Sequence, residues 1–329
     1  MVISLFDGRM TRTLILGGTG WLGSSVARAA RDSGDEIVCL ARGESGPAPD
    51  GVKLVRADRL APGAYENVPG EWDEVIELAY EPELVRPALD ALAQRAAHWT
   101  LISSVSVYAH NETPGADETA ELVEPADPRQ YPDAKVAAEQ ASLNRVGERL
   151  LIARPGLIVG PGDPSDRFGY WPARLARGGR VVVPDTTDRF VQVIDVDDLA
   201  QWVVAAGHEQ HAHTVNAVGS VHSLADFFQL ACAVTGFEGE LVAFQDDVLM
   251  SQNVNFWAGP RSLPLWLPVE ARGFMQRDGS AFLELGGAVR SLKETLSRTL
   301  EDELNRGLDR ERQSGLTASE EAEVLRATR

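Results

Sequence analysis

The stretch Leu14-Ile15-Leu16-Gly17-Gly18-Thr19-Gly20-Trp21-Leu22-Gly23 restricts this chain more than any other. A short apolar run ends in glycines at 17, 20 and 23, and a segment of helical composition follows as far as Ser33. Glycines at this spacing permit a tight turn, close approach of the backbone to a bound group, and close packing of a helix on a strand. The helix start then offers unpaired N–H groups that suit a pyrophosphate. A bare GxxGxxG is a weak signal, because glycine-rich turns are common. Its position at the first strand-to-helix turn gives it weight, and we read it as a dinucleotide loop.

The rest of the chain fits that reading. Leu14–Leu16, Glu36–Leu40, Val52–Val55, Glu74–Leu78, Thr100–Ser103 and Leu150–Ala153 are short apolar runs. Between them, Trp21–Ser33, Glu83–Ala97 and Ala134–Val146 carry Ala, Leu, Glu and Arg at helical spacing. The alternation predicts an α/β fold, a parallel sheet covered by helices on both faces. Beyond Arg154 the pattern loosens. Strands are expected over Arg180–Val183 and Phe190–Ile194, helices over Asp198–Ala206 and 223–235, and a loop region over 253–275. Ser291…Glu294 and Thr317…Glu320 fit capping boxes, so the chain should end in two helices. The expected division is a dinucleotide-binding unit over 11–156 with 191–218, a smaller C-terminal substrate-binding region over 157–190 with 219–290, and a helical tail over 291–329.

Charge and cysteine content exclude other classes. A net charge of −18 repels a phosphate backbone, and the lysines Lys53, Lys135 and Lys293 stand apart, so nucleic acid is not expected as a partner. Cys39 and Cys232 form neither a disulfide framework nor a zinc motif, and Cys39 lies in an apolar run that suggests a buried thiol. No stretch reaches the ~18 apolar residues of a membrane span, and Met1–Phe6 is too short and lacks the basic start of a leader. A reducing cytoplasm is the expected setting. His208-Glu209-Gln210-His211-Ala212-His213 reads as a solvated loop, with no metal expected. Ser103 and Ser104 lack the Gly-x-Ser-x-Gly elbow of a hydrolase. Asp197 and Asp198 read as caps of a helix.

The end of the second strand bears on the cofactor. NAD-binding chains place an acid there for the ribose hydroxyl, whereas an arginine accommodates the 2′-phosphate of NADP. Ala41 stands at that position and Arg42 follows, which favours NADP, with NAD as the alternative. Asp58 either bonds the adenine amino group or forms a turn. Tyr131 and Lys135 lie four residues apart on one helical face. A phenol with a pKa near ~10 needs a neighbouring cation to act as an acid/base at neutral pH, and Lys135 supplies one. Ser103 and Ser104 close the fifth strand, at the sheet edge where ligands bind.

Taken together, Gly17-x-x-Gly20-x-x-Gly23, Ser104-Val105-Ser106-Val107-Tyr108 and Tyr131-x-x-x-Lys135 resemble the extended short-chain dehydrogenase/reductases, the NAD-dependent epimerase/dehydratase-like group. Arg154-Pro155-Gly156, Gly160-Pro161-Gly162 and Val196-Asp197-Asp198-Leu199-Ala200 are similar to further family signposts, and the likeness spans about 12–300. The resemblance implies a Rossmann-type doubly wound sheet and an NAD(P)-dependent oxidoreductase of a small carbonyl or alcohol. Its alternatives are a nucleotide-sugar epimerase or dehydratase with tightly bound cofactor, and a nucleotide-sensing protein without turnover. It implies that Ser104 polarises the reacting group, Tyr131 exchanges its proton, and Lys135 holds the nicotinamide ribose. Thr19, Trp21, Leu22, Leu78, Ala79 and Pro155 complete the expected cofactor contacts. A small-molecule substrate is expected, and a homodimer is compatible with the family.

Three departures from the family pattern matter. Pro132 after the tyrosine biases Tyr131 toward a cap position. Leu157 and Val191 stand where nucleotide-sugar relatives carry an Asn and an Arg for the pyrophosphate, although Arg189 or Arg167 could substitute. Phe168, Tyr170 and Trp171 either line a substrate pocket or pack in the core.

Overall fold

In the computed structural model, which describes residues 10–326, seven parallel strands form the central sheet. The first half of the chain runs β1 (Arg12–Leu16), α1 (Trp21–Asp32), β2 (Glu36–Ala41), β3 (Lys53–Arg56), β4 (Trp72–Glu77), α2 (Pro82–Leu92), β5 (Ala96–Ile102), α3 (Tyr131–Val146) and β6 (Leu150–Pro155). There follow β7 (Leu157–Val159), α4 (Arg167–Ala176), β8 (Arg180–Pro184), β9 (Phe190–Asp195), α5 (Val196–His208), β10 (Thr214–Ala217) and β11 (Val221–Ser223). The chain closes with α6 (Leu224–Thr235), β12 (Glu240–Phe244), α7 (Asp246–Ser251), β13 (Asn255–Trp257), β14 (Ser262–Pro264), α8 (Ser280–Glu284), α9 (Leu292–Arg306) and α10 (Ala318–Arg326).

The sheet order is β3-β2-β1-β4-β5-β6-β10. Leu14, Ile15 and Leu16 of β1 are wholly buried, as a central strand covered on both faces requires. Val26, Ala27, Leu199 and Val203 of α1 and α5 cover one face. Val85 and Leu89 of α2 and Ala138 of α3 cover the other. This is a Rossmann-type doubly wound fold. The strand order reverses between β1 and β4, so the crevice at their carboxyl ends is where such a sheet binds ligands.

The expected helix Glu83–Ala97 stops at Leu92. A tight turn over Ala93–Arg95 follows, and Ala96 pairs with Trp72 in the sheet. Alanine favours helix locally, but sheet pairing and burial override it here. Phe190–Asp195 forms a strand, yet it lies outside the main sheet, between β7 and β11. Its Val191 and Val193 join a second hydrophobic core with Trp171, Phe227 and Trp266. The segment over 167–176 is a helix despite Pro172 within it.

The helices expected as a tail are built into that second core through Leu296 and Val324, both fully buried. Thr317 and Glu320 complete a reciprocal capping box at α10, with bonds of 2.8 and 3.3 Å. At α9, the Glu294 N–H donates to Ser291 Oγ at 3.2 Å. Among the described residues no helix is long and apolar enough to cross a membrane. Met1–Phe6 and the last three residues of the expected tail lie outside the described residues.

Candidate active site

Two cavities open along the carboxyl edge of the sheet, and Leu78 lines both. The first, of about 320 Å³, is lined by Gly17, Thr19, Gly20, Ala41, Arg42, Asp58 and Ala79 among others. Gly17 has φ +96°, a left-handed angle that glycine adopts without strain. A Cβ on Gly23 would meet Gly17 O at 2.5 Å and Gly18 Cα at 2.8 Å, so α1 can approach β1 only with glycine there. At Gly20 a Cβ would instead point into open space beyond Gly17 O, 3.6 Å away. Gly20 is the N-cap of α1, no side chain caps the helix, and its first turn carries no acid. An uncapped positive helix end beside bare glycine backbone fits a dinucleotide pyrophosphate.

At the far side of this cavity Arg42 pairs with Glu44 at 3.2 Å, both exposed. Arg56, which the sequence gave no reason to single out, donates to Arg42 O at 3.4 Å and lies against Gly43. Two guanidiniums therefore flank the loop after β2. Asp58 lines the cavity and forms a turn, accepting from the Leu60 N–H at 3.0 Å. Arg59, also unforeseen, is buried and grips Glu77 at 2.9 and 2.5 Å. Glu77 in turn accepts from the Ala79 N–H at 2.8 Å, which fixes the end of β4 against the cavity.

The second cavity, of about 510 Å³, holds the proton-transfer candidates. Ser104, Tyr131, Lys135 and Pro155 line it with Trp21, Leu22, Tyr80, Leu157, Asp163, Arg167, Trp257 and Phe274. Ser103 turns inward and donates to Glu139 Oε1 at 2.5 Å, where Arg154 also binds at 2.9 Å. Both serines line the cleft, but Ser103 Oγ is committed to Glu139 and braces the sheet edge. Ser104 Oγ accepts from the Ser106 N–H at 3.1 Å and donates to Ser106 Oγ at 3.1 Å, on the wall of the cleft that Tyr131 shares.

Tyr131 is the first helical residue of α3 rather than its cap, which is Gln130. Pro132 is tolerated because the first turn of a helix leaves its N–H groups unpaired anyway. The Tyr131 ring is 42% exposed at the cleft and meets Tyr80 edge-on at 5.0 Å. Burial of its hydroxyl surroundings raises the pKa, while the Ser104 hydroxyl and the Arg167 charge pull it back. Lys135 is buried, with Nζ donating to Ile102 O at 2.6 Å and lying 5.7 Å from the Tyr131 ring centre. Burial brings its pKa down to about 8, against the opposing charges of Glu81, Glu77 and Glu139.

With this geometry in view the comparisons are decisive at the level of family. The family model described as NAD dependent epimerase/dehydratase family matches residues 13–218. The chain belongs to the NAD dependent epimerase/dehydratase family. Among curated relatives, the mouse (Mus musculus) "Epimerase family protein SDR39U1" is 24% identical over 244 residues, covering 68% of this chain and 81% of the relative. The "2'-dehydrokanamycin reductase" of Streptomyces kanamyceticus is 29% identical over 205 residues, 57% of this chain and 55% of the relative. Among solved structures, RMD from Pseudomonas aeruginosa complexed with NADPH aligns with a TM-score of 0.63 at 21% identity, covering 91% of this chain and all of that one. That likeness shows the shared fold.

The structure decides between open alternatives for the aromatic trio and corrects several other expectations. Phe168, Tyr170 and Trp171 do not line the cleft; they are at most 1% exposed and pack edge-to-face with one another and with Phe227 and Phe228. Val191 is fully buried, and Arg189 turns away to Leu267 O, Asp185 O and Asp246. The cap of α5 is Asp195, which accepts from the Asp197 N–H at 3.0 Å. Asp197 and Asp198 instead hold Arg298 and Arg290, tying α5 to the start of α9. His208 is no solvated loop residue: it ends α5 and bonds Asp35 at 2.8 Å. Trp257 and Phe274 come from the segment expected to be a mere loop, and nothing in its pattern marks them as cleft residues.

Proposed function

We propose that this family member is an NADP-dependent reductase or dehydrogenase of a small carbonyl or alcohol, with Tyr131 as general acid/base. The observation that carries the reading is the convergence of Ser104, Tyr131 and Lys135 on a cleft that meets the glycine-loop cavity at Leu78. The glycine loop and the α1 start would hold the pyrophosphate, and Lys135 the nicotinamide ribose. When bound, the nicotinamide supplies or accepts a hydride. In the reducing direction Tyr131 gives its hydroxyl proton to the substrate oxygen, and Ser104 steadies that oxygen with a hydrogen bond. Lys135, charged below about pH 8, favours the phenolate left behind.

NADP is preferred because Arg42 lines the first cavity just past β2, with Arg56 donating to its carbonyl and no acid at Ala41. The family description speaks of NAD and the P. aeruginosa neighbour holds NADPH, so kinship leaves the choice to these residues. Cys39 and Cys232 are free thiols, in keeping with a reducing cytoplasm.

Two observations weigh against a nucleotide sugar as substrate. Leu157 cannot donate to a pyrophosphate, and Val191 and Arg189 are spent in the core and on other partners, which leaves Arg167 as the one of these positions with a cation in the cleft. The name of the Streptomyces relative, a reductase, points the same way. The test is a panel of carbonyl compounds with NADPH, scored by lasting loss of cofactor absorbance, beside calorimetry with uridine- and thymidine-diphosphate sugars. Net oxidation of NADPH supports the reading. Low-micromolar binding of a nucleotide sugar, about −8 kcal/mol, with no net oxidation would replace it with an epimerase.

A further inference from the structure

Arg167, the first residue of α4, lines the cleft that holds Tyr131. Four deeply placed arginines are matched with acids: Arg59 with Glu77, Arg154 with Glu139, Arg174 with Glu321, and Arg189 with Asp246; Arg277, buried outside this cleft, donates instead to His110 O and Asn111 Oδ1. Arg167 has no such partner among the described residues, in a chain with 49 acidic residues. Its Nε donates to Ser165 Oγ at 3.1 Å, and its guanidinium lies over the Trp257 ring, 5.2 Å from the centre. These two contacts aim the guanidinium while leaving both terminal nitrogens without a protein acceptor.

Trp257 is itself held in an unusual state. Its φ is +70°, a left-handed angle that is costly for a bulky side chain. Its N–H donates to Trp266 O at 3.1 Å, and its ring meets Phe274 edge-on at 5.5 Å. A strained aromatic fixed against an unpaired cation, in the cleft of the acid/base tyrosine, is the arrangement of a substrate clamp.

We propose that Arg167 anchors a carboxylate of the substrate, which makes the substrate a keto or hydroxy acid whose planar or apolar body rests against Trp257. A planar fork with two free nitrogens matches a carboxylate in bidentate fashion. A phosphate dianion fits less well. Asp163, lining the same cleft four residues before the helix start, contributes a carboxyl of its own, and the other cation of the cleft lining, Lys135, is committed to Ile102 O. The carboxylate takes no part in the bond changes. It sets which carbonyl is presented to Tyr131, and its bonding reduces the effect of the Arg167 charge on that phenol.

The inference rests on the oxidoreductase reading, and its test separates the two. Benzoylformate, 3-benzoylpropionate and 4-formylbenzoate, each beside its methyl ester, are assayed with NADPH. We expect the acid of at least one pair to exceed its ester in kcat/KM. That preference should fall about 10- to 100-fold in Arg167→Met, mainly through KM, and return in part in Arg167→Lys. Benzoate binding to the NADPH-loaded protein, followed by calorimetry, reports on the anchor without turnover and should weaken likewise in Arg167→Met.

Turnover of esters and acids alike would overturn the anchor and leave the oxidoreductase standing. Arg167-dependent benzoate binding with no carbonyl reduced would do the reverse. Two further results would overturn the anchor: equal loss of NADPH affinity in Arg167→Met, which would make Arg167 a cofactor contact, or inorganic phosphate binding the loaded protein more tightly than benzoate. Should Arg167→Met fail to fold, the acid-to-ester ratio in Arg167→Lys decides the matter.

Discussion

The two cavities that meet at Leu78 are built on different principles. The lining of the first comes from the carboxyl ends of β1, β2, β3 and β4 and the loops that follow, all within the first 84 residues. The lining of the second reaches from Trp21 to Phe274 and draws on segments that share no strand. In the first, neighbours in space are set by one repeated rule, a parallel strand turning into the next connection. In the second, the ends of β4, β5 and β6 supply one wall by the same rule, and the other is set by how a separate core, around Trp171, Phe227 and Trp266, seats α4 and the β13–β14 segment against the sheet. A binding site for an invariant ligand can be written locally. A site for a substrate needs the whole fold.

If this contrast is functional, substitutions in the two cavities should separate chemistry from cofactor choice. The largest effect is expected at Tyr131→Phe, where turnover should drop by about 10²- to 10⁴-fold while NADPH affinity holds. Steady-state rates and a cofactor titration on the same preparation check this. A parallel loss of NADPH binding would show that the cavities are not separable at this residue.

Lys135 gives the next largest effect, and one of opposite sign for stability. Its folded pKa, about 8, lies below the ordinary lysine value, so the unfolded chain binds this proton more tightly. The residue therefore subtracts from stability below about pH 8, and the deficit closes as pH rises toward the ordinary value. Lys135→Met should inactivate the protein yet stabilise it at pH 7 by at most about 3 kcal/mol, seen as a higher melting temperature. The gain should fade by pH 10. Melting curves at the two pH values decide it, and a Met variant less stable at pH 7 would mean that the bond to Ile102 O outweighs the buried charge.

In the first cavity, Gly23→Ala should cost about 1–3 kcal/mol of cofactor affinity, because its Cβ must push the loop or the helix aside. The chemical step of the cofactor-saturated variant should be nearly intact, which single-turnover kinetics measure. Arg42→Ala should remove about 1–3 kcal/mol of the preference for NADPH over NADH. Glu44→Gln should sharpen that preference slightly by freeing Arg42 from an exposed pair, a change of at most about 1 kcal/mol. Equal binding of the two cofactors by the unaltered protein would remove the basis for both.

The same division explains what could be read from the amino acids. The glycine loop, the strand alternation and the Tyr131–Lys135 spacing are short-range patterns, and the structure places all of them at one sheet edge. Ala96 and Ala97 were misassigned because their helix preference is weaker than the pairing of β5 with β4. Arg59 and Glu77 lie 18 residues apart, and nothing in either neighbourhood announces a buried pair. Trp257 is invisible for a stronger reason, and Arg167, named only as a possible phosphate donor, could not be placed beside it. What makes them notable is a backbone angle, an absent acid and a shared cleft, none of which exists until the chain has folded. The choice between Ser103 and Ser104 likewise depends on Glu139 and Arg154, which reach the sheet edge from α3 and β6.

The position of Leu78 also bears on the order of events during turnover. A dinucleotide lying across that residue fills part of the second cavity, so a substrate admitted first would lie across the path the nicotinamide must take. On the proposed reading this geometry has the cofactor entering first and leaving last, which makes the expected reaction sequential and ordered. The oxidised cofactor should then compete with the reduced one, while the product should inhibit noncompetitively against the cofactor. A larger side chain at Leu78 would slow the release of the spent cofactor, and with it the steady state, without touching any group that handles a proton.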